Sequence, residues 1–232
     1  MAIVFKNVSF NNNMNIYLDS NKIIGVMGVN YSDFFKSLSG NDIYVIDKEN
    51  NFLEKKVSEE LLKCYKEKSD YSFDEIVNII TNRLSLSKDF INKNIKELSH
   101  SEKRIVKYLK MLLINPKIIV IDEPYLYLDY DMKKKIRLLI KEIIKESKKT
   151  IIIGSCDSNI IYELSQKVMI INYNSFLYSD TQKVFEKIMV LNDYNIEEPE
   201  IVRFVRLARE KGINIDYTND IRDLIKEVYK NV

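Results

Sequence analysis

The chain has 232 residues, 46% of them hydrophobic and 30% charged, which allows one sizeable core, or a core plus a small appendage, under a well-solvated surface. Lys and Arg number 36 against 34 Asp and Glu, a net charge of +2, so the balance gives no sign of a nucleic-acid-binding coat. Only two cysteines occur, Cys64 and Cys156, which argues against a secreted disulfide scaffold and for a reducing compartment.

The first residues carry no basic segment followed by an apolar stretch, so no signal peptide is expected. Residues 3–5 open as a strand and a polar turn is expected at Asn11, Asn12 and Asn13. Residues 22–28 (KIIGVMG) read as a buried strand, residues 34–38 as a short helix and residues 43–46 as another strand. Residues 57–97 look helical and charged, with weak boundaries. From residue 102 to 113 apolar side chains recur at Ile105, Tyr108, Leu109, Leu112 and Leu113, one stripe of an amphipathic helix. Asn115 and Pro116 end it, residues 117–121 form a buried strand, and a second helix presents Ile136, Leu139, Ile140, Ile143 and Ile144 on one face. Residues 150–153 and 167–171 are strands again, and residues 200–211 and 221–229 are two last helices around Gly212. Strands alternating with helices imply a largely parallel, covered sheet. The apolar runs 118–121 and 151–153 are far too short to span a bilayer, so any action at a membrane is expected to come from docking there.

The chain has five glycines, about a third of what average usage of roughly 7% gives. Other residues avoid positive φ, so the places where glycine is missing carry information.

Four segments concentrate the chemistry. Residues 117–124 (KIIVIDEP) are a buried strand ending in two acids, Asp122 and Glu123, which puts carboxylates at the sheet edge where open α/β sheets bind ligands. Leu128 and Asp129 follow. Residues 98–104 (LSHSEKR) stand just before the first long helix, and Ser99 with Glu102 forms a capping box that accounts for both residues without a ligand. Residues 28–40 (GVNYSDFFKSLSG) follow the strand ending in Gly28. Ser155, Cys156 and Asp157 follow the strand at 150–153.

In this order and context the four segments resemble the nucleotide-binding domain of ABC transporters. The resemblance implies an α/β, P-loop NTPase-like fold with a largely parallel covered sheet, a helical subdomain at about 57–115 and a domain spanning 1–190. A short helical C-terminal appendage at 191–232, with Pro199, Ala208, Gly212, Thr218 and Leu224, is similar to that of the energy-coupling-factor type. The cofactors implied are ATP and Mg²⁺. The match to Asp122 helps hold Mg²⁺ and the match to Glu123 polarises the attacking water; Asp129 lies in the D-loop.

Departures from the family pattern are many. Where the family carries LSGGQ, Ser99 matches and His100, Ser101 and Glu102 do not. In the phosphate-binding loop Gly28, Asn30 and Ser32 match GPNGSGKST, Tyr31 and Asp33 replace the internal glycines, and the loop is about three residues short. The phosphate lysine and the Mg²⁺-ligating hydroxyl are then lost, and Asp33 would place a negative charge near any phosphates. Lys36 is read as a solvated helix lysine. Cys156 takes the place of the switch histidine; its thiol is a weak donor. The two glutamines, Gln166 and Gln182, both lie outside the Q-loop position, and Asn12 stands where the adenine-stacking aromatic belongs, with Phe10 nearby.

The expected role is an ATP-binding-type subunit that pairs with a second ABC ATPase, as homo- or heterodimer, and couples to an integral membrane transport subunit at the cytoplasmic face, weak or inactive in hydrolysis and without nucleic acid. The alternatives are an active transport ATPase with unusual motifs, favoured by retained Asp122, Glu123 and Asp129, and a non-transport soluble ABC protein. If nucleotide is never bound, hydrogen bonds tying the acidic turn to a neighbouring loop would give those acids another reason to stay.

Overall fold

A computed structural model describes residues 2–8, 14–38, 40, 42–49, 51–65, 72–172 and 175–231. The expected turn at residues 11–13, and with it Asn12 and Phe10, lies outside them. In chain order the elements are β1 (Ala2–Val8), β2 (Met14–Asp19), β3 (Ile23–Gly28), α1 (Tyr31–Ser37), β4 (Ile43–Ile46), α2 (Val57–Leu62) and α3 (Phe73–Arg83). Two 3-10 turns, Lys88–Asn92 and Ile95–Glu97, precede α4 (His100–Ile114), β5 (Ile118–Asp122) and α5 (Tyr130–Glu146). Then come β6 (Thr150–Gly154), α6 (Ser158–Leu164), β7 (Lys167–Asn172), β8 (Ser175–Asp180), α7 (Thr181–Phe185), α8 (Ile188–Asp193), α9 (Glu200–Glu210) and α10 (Ile221–Asn231). Backbone packing divides the chain into a first unit, residues 1–39 and 150–232, and a second, residues 40–149.

In the first unit β3 lies between β6 and β7, parallel to both, and β8 adds antiparallel to β7. The first five residues of β3 and all five of β6 are buried, which explains why both read as unbroken apolar runs rather than alternating ones. β1 and β2 form their own antiparallel pair, in which Ile16 and Leu18 point inward and Tyr17 outward, the period of two of a half-covered strand. Asp19 and Tyr178 join β2 to β8 through a 3.0 Å hydrogen bond from the phenol to the carboxylate. The last two helices close a small cluster of their own from Val205, Ala208, Ile215 and Leu224.

In the second unit β4 and β5 run parallel, Ile46 beside Ile121. The helix α4 buries a broader face than its apolar stripe predicts. Arg104 and Lys107 are buried along with Ile105, Val106, Tyr108, Leu109 and Met111, while Leu112 and Leu113 are only half-buried. The buried face is thus rotated toward positions 104, 107, 108 and 111, the 3.6-residue neighbours of two cations, because those cations have partners inside. A buried ion pair sits nearby. Glu60 is almost wholly buried; its carboxylate takes the Lys110 ammonium and the amides of Leu53 and Glu54 at 3.0 and 3.1 Å. Burial works to raise the Glu60 carboxyl, but these donors outweigh it and hold it below the usual carboxylate range.

Candidate functional site

The candidate site residues fall in both units. In the first, β3 ends at Gly28 with φ of 104°, and a Cβ there would collide with the carbonyl oxygen of Ile171, so no other residue fits. The next amide, Val29, donates to that same oxygen at 3.0 Å. Asn30 adopts the left-handed conformation (φ 56°, ψ 29°), which asparagine tolerates better than most residues, and its carbonyl accepts the Asp33 amide at 3.0 Å. The connection from strand to helix is therefore two residues, and α1 starts at Tyr31, three residues before the expected start at Phe34.

Tyr31, Phe34 and Phe35 are all buried. The rings of Tyr31 and Phe35 meet edge to face, centroids 5.6 Å apart, and both lie over the end of β6, where a Cβ on Gly154 would collide with them. Asp33 is exposed, its carboxylate 3.0 Å from the Lys36 ammonium on the surface of the helix, and Ser32 is half-buried. Beyond β6, Ser155 is fully buried and accepts the Asp157 amide at 3.1 Å. Asp157 caps α6 by accepting the Asn159 amide at 2.8 Å. Cys156, between them, is exposed.

The second unit holds the acidic turn. Asp122 ends β5, largely buried, with a carboxylate oxygen 3.3 Å from the ammonium of Lys48. Lys48 leaves β4 in the loop 47–49, and the parallel register of β4 and β5 brings that loop beside the turn. Arg104 is only 3% exposed and spans the same two segments. One of its terminal nitrogens donates to the Asp47 carbonyl at 2.5 Å, and the other to the carbonyls of Asp122 and Glu123 at 2.5 and 2.8 Å. Lys107 donates to the Asp47 carboxylate and to the carbonyls of Asp47 and Glu49. Its burial lowers the ammonium below its ordinary value despite Asp47 beside it. One turn along α4 from Arg104, the Tyr108 hydroxyl donates to the Pro124 carbonyl at 2.7 Å, and burial pushes that phenol up to about 12.

Glu123 itself takes φ of 53°, a left-handed conformation costing of order 1–3 kcal/mol for a non-glycine residue. Its carbonyl is held by Arg104 and by the Leu126 amide at 3.1 Å, which fixes that backbone. Asp129 caps α5 by accepting the Met132 amide at 2.8 Å. The capping box expected from spacing forms at α4. Ser99 Oγ accepts the Glu102 amide at 3.2 Å, and Glu102 accepts the Ser99 amide at 2.9 Å. The Lys93 ammonium, 2.6 Å away, and then the Ser99 amide hold the Glu102 carboxyl below its usual range. His100 packs on Tyr127, ring centroids 5.0 Å apart.

The residues singled out by spacing thus fall into two groups: Gly28, Asn30, Ser32, Asp33 and Cys156 in the first unit, and Ser99, Asp122, Glu123 and Asp129 in the second. Sequence reasoning missed Lys48 and Arg104. Arg104 carried one signal, since it falls one turn before Tyr108 on the buried stripe. Nothing local marked Lys48. Among the described residues no group of three or more His, Cys, Asp or Glu side chains is placed to hold a metal ion.

No family model matches the chain. Among curated proteins it is 34% identical over 140 residues to a spermidine/putrescine import ATP-binding protein of Mycoplasmopsis synoviae, covering 60% of this chain and 29% of that one. It is 30% identical over 142 residues to a putative ABC transporter ATP-binding protein of Pyrococcus furiosus, covering 61% and 52%. It is also 30% identical over 144 residues to an energy-coupling factor transporter ATP-binding protein of Ureaplasma parvum, covering 62% and 49%. The matched segments thus span about half or less of these relatives' own lengths. Among solved structures, an ATP-binding subunit of an ABC transporter superposes with a TM-score of 0.72 at 13% identity, over 84% of this chain and 98% of the other. The protein cbiO1 from Clostridium perfringens, described as part of the ABC transporter complex cbiONQ, gives 0.62 at 19% identity, over 85% and 92%. The chain is therefore related to the ATP-binding proteins of ABC transporters, energy-coupling-factor ATPases among them, and carries the fold of their nucleotide-binding domains.

Proposed function

We propose that this chain is an ABC-type subunit that pairs with a second ABC ATPase and couples to an integral membrane transport subunit, peripherally at the cytoplasmic face, without hydrolysing ATP itself. The observation that carries this reading is the two-residue turn from Gly28 to Tyr31. The family pattern calls for a glycine-rich loop whose amides surround phosphates, and a lysine that reaches them. Here the first amide is spent on the Ile171 carbonyl, and the rings of Tyr31 and Phe35 fill the space over Gly154. ATP and Mg²⁺ do not fit this turn. Ser99, Asp129 and Asp157 each spend a side-chain oxygen as a helix cap, which explains their presence without a nucleotide.

The fold and the transporter relatives support a structural role in a complex, and no helix among the described residues is long and apolar enough to cross a membrane. A working ATPase with unusual motifs is the second reading, favoured by the pair Asp122 and Glu123 at the end of β5. The two separate in the assembled complex, purified through its membrane subunit. Under the proposal, Glu123→Gln leaves ATP turnover unchanged, while the equivalent change in the partner ATPase abolishes it. A loss of turnover in Glu123→Gln would establish the second reading. Recovery of this chain as a lone monomer, with neither partner, would count against both and favour a non-transport protein.

A further inference from the structure

Two cations of the chain meet the acidic turn of the second unit, and a third holds the loop beside it. Lys48 meets the Asp122 carboxylate at 3.3 Å. Arg104 donates to the main-chain carbonyls of Asp122 and Glu123. Lys107 holds the loop that carries Lys48 through the Asp47 carboxylate and two carbonyls. The resemblance predicts a Mg²⁺ ligand at Asp122. A divalent cation there would have to displace an ammonium and approach a buried guanidinium bonded to the same residue, and like charges so placed repel strongly away from bulk water. The residues present do not fit the metal.

We propose that Lys48 is a resident cation for Asp122: its ammonium occupies the carboxylate and excludes a divalent metal from the turn. The pair joins the loop after β4 to the end of β5, and Arg104 bridges the same two segments through carbonyl oxygens. Asp122 is then a latch between adjacent parallel strands. Lys48 is a positioning residue, its side chain 43% exposed, and the presence of the acid is explained by this partner. The inference concerns the same turn as the proposed function and rests on that reading only for the absence of a Mg²⁺ requirement.

The test uses the full chain without nucleotide, so its failure would leave the reading of the Gly28–Tyr31 turn standing. Mn²⁺ alone is the probe, followed by paramagnetic broadening of backbone amide signals around residues 120–124. Wild type and Lys48→Arg are expected to show no local broadening up to millimolar Mn²⁺, because both keep a cation on the carboxylate. Lys48→Met is expected to gain it, and Lys48→Met/Asp122→Asn to lose it again. Local broadening in the wild type that Asp122→Asn removes would overturn the proposal. So would equal behaviour of wild type and Lys48→Met. If Lys48→Met unfolds, Lys48→Gln replaces it, since the amide keeps most of the stem and removes only the charge.

Discussion

Two connections leave a parallel strand and enter a helix, and they are held in opposite ways. After β3 the chain takes two residues and fills the space with rings: Tyr31, Phe34 and Phe35 are all buried. After β5 it keeps a longer turn with its acids and closes it with polar bonds from Arg104, Tyr108 and Lys48. The first connection is held by packing and the second by hydrogen bonds and charge. Under the proposed function, one ligand site is lost by occupying its volume and the other by satisfying its polar groups internally, and the second route leaves the sequence motif legible.

The contrast can be broken at either end. The largest effect is expected at the apolar connection. Phe35→Ala should destabilise the fold by about 3–5 kcal/mol, the usual cost of emptying a buried phenylalanine site, measured by urea unfolding. A cost under about 1 kcal/mol would mean that the ring does not fill the space. Somewhat smaller is the effect of Arg104→Leu at the polar connection, about 1–3 kcal/mol, because it removes a charged donor shared by the carbonyls of Asp47, Asp122 and Glu123. An Arg104→Lys variant that restored full stability would show that charge matters there more than the fork of donors.

Acid should touch the second unit more than the first. The Glu60 carboxyl is held below its ordinary value of 4.5 in the fold. Its contribution is present above that value and is lost as pH falls through the lower folded one. Stability measured from pH 6 downward should therefore decline below about pH 4.5, and Glu60→Gln should flatten that decline. An unchanged slope in the variant would remove Glu60 from the account. The smallest effect is at the head of α4. Ser99→Ala should cost about 1 kcal/mol, the typical value of a lost helix cap, with no other consequence. A change in transport-complex activity beyond that loss would give Ser99 a role in ligand contact.

Much of the fold was legible because buried strands leave a plain trace. The apolar runs of β3, β5 and β6 fell within a residue of their observed limits, and the capping box at Ser99 fixed the start of α4. The short helices α6, α7 and α8 span seven residues or fewer, too little for a 3.6-residue period to show. The strand β8 is half-buried along most of its length, so neither alternation nor a full apolar run marks it. The start of α1 was missed because the motif template kept Tyr31 in a loop, whereas burying three aromatic rings on one short helix outweighs that pattern. Arg104 and Lys107 escaped because cations on a helix default to solvent. Their partners stand 57–60 residues earlier and, for Arg104, 18–19 residues later, a relation no local pattern contains. The bond from Lys48 to Asp122 is of the same long-range kind.

The most direct measurement is a thermal melt of the full chain in ATP and Mg²⁺ against buffer. Ligand at 100 times its dissociation constant stabilises a fold by about 2.7 kcal/mol, roughly 5–10 °C in Tm for a chain of this size. No shift is expected, with or without Mg²⁺. A Mg²⁺-dependent rise of that size, abolished by Asp122→Asn, would contradict that expectation, because the turn after β3 and the latch at Asp122 would then have to open for nucleotide.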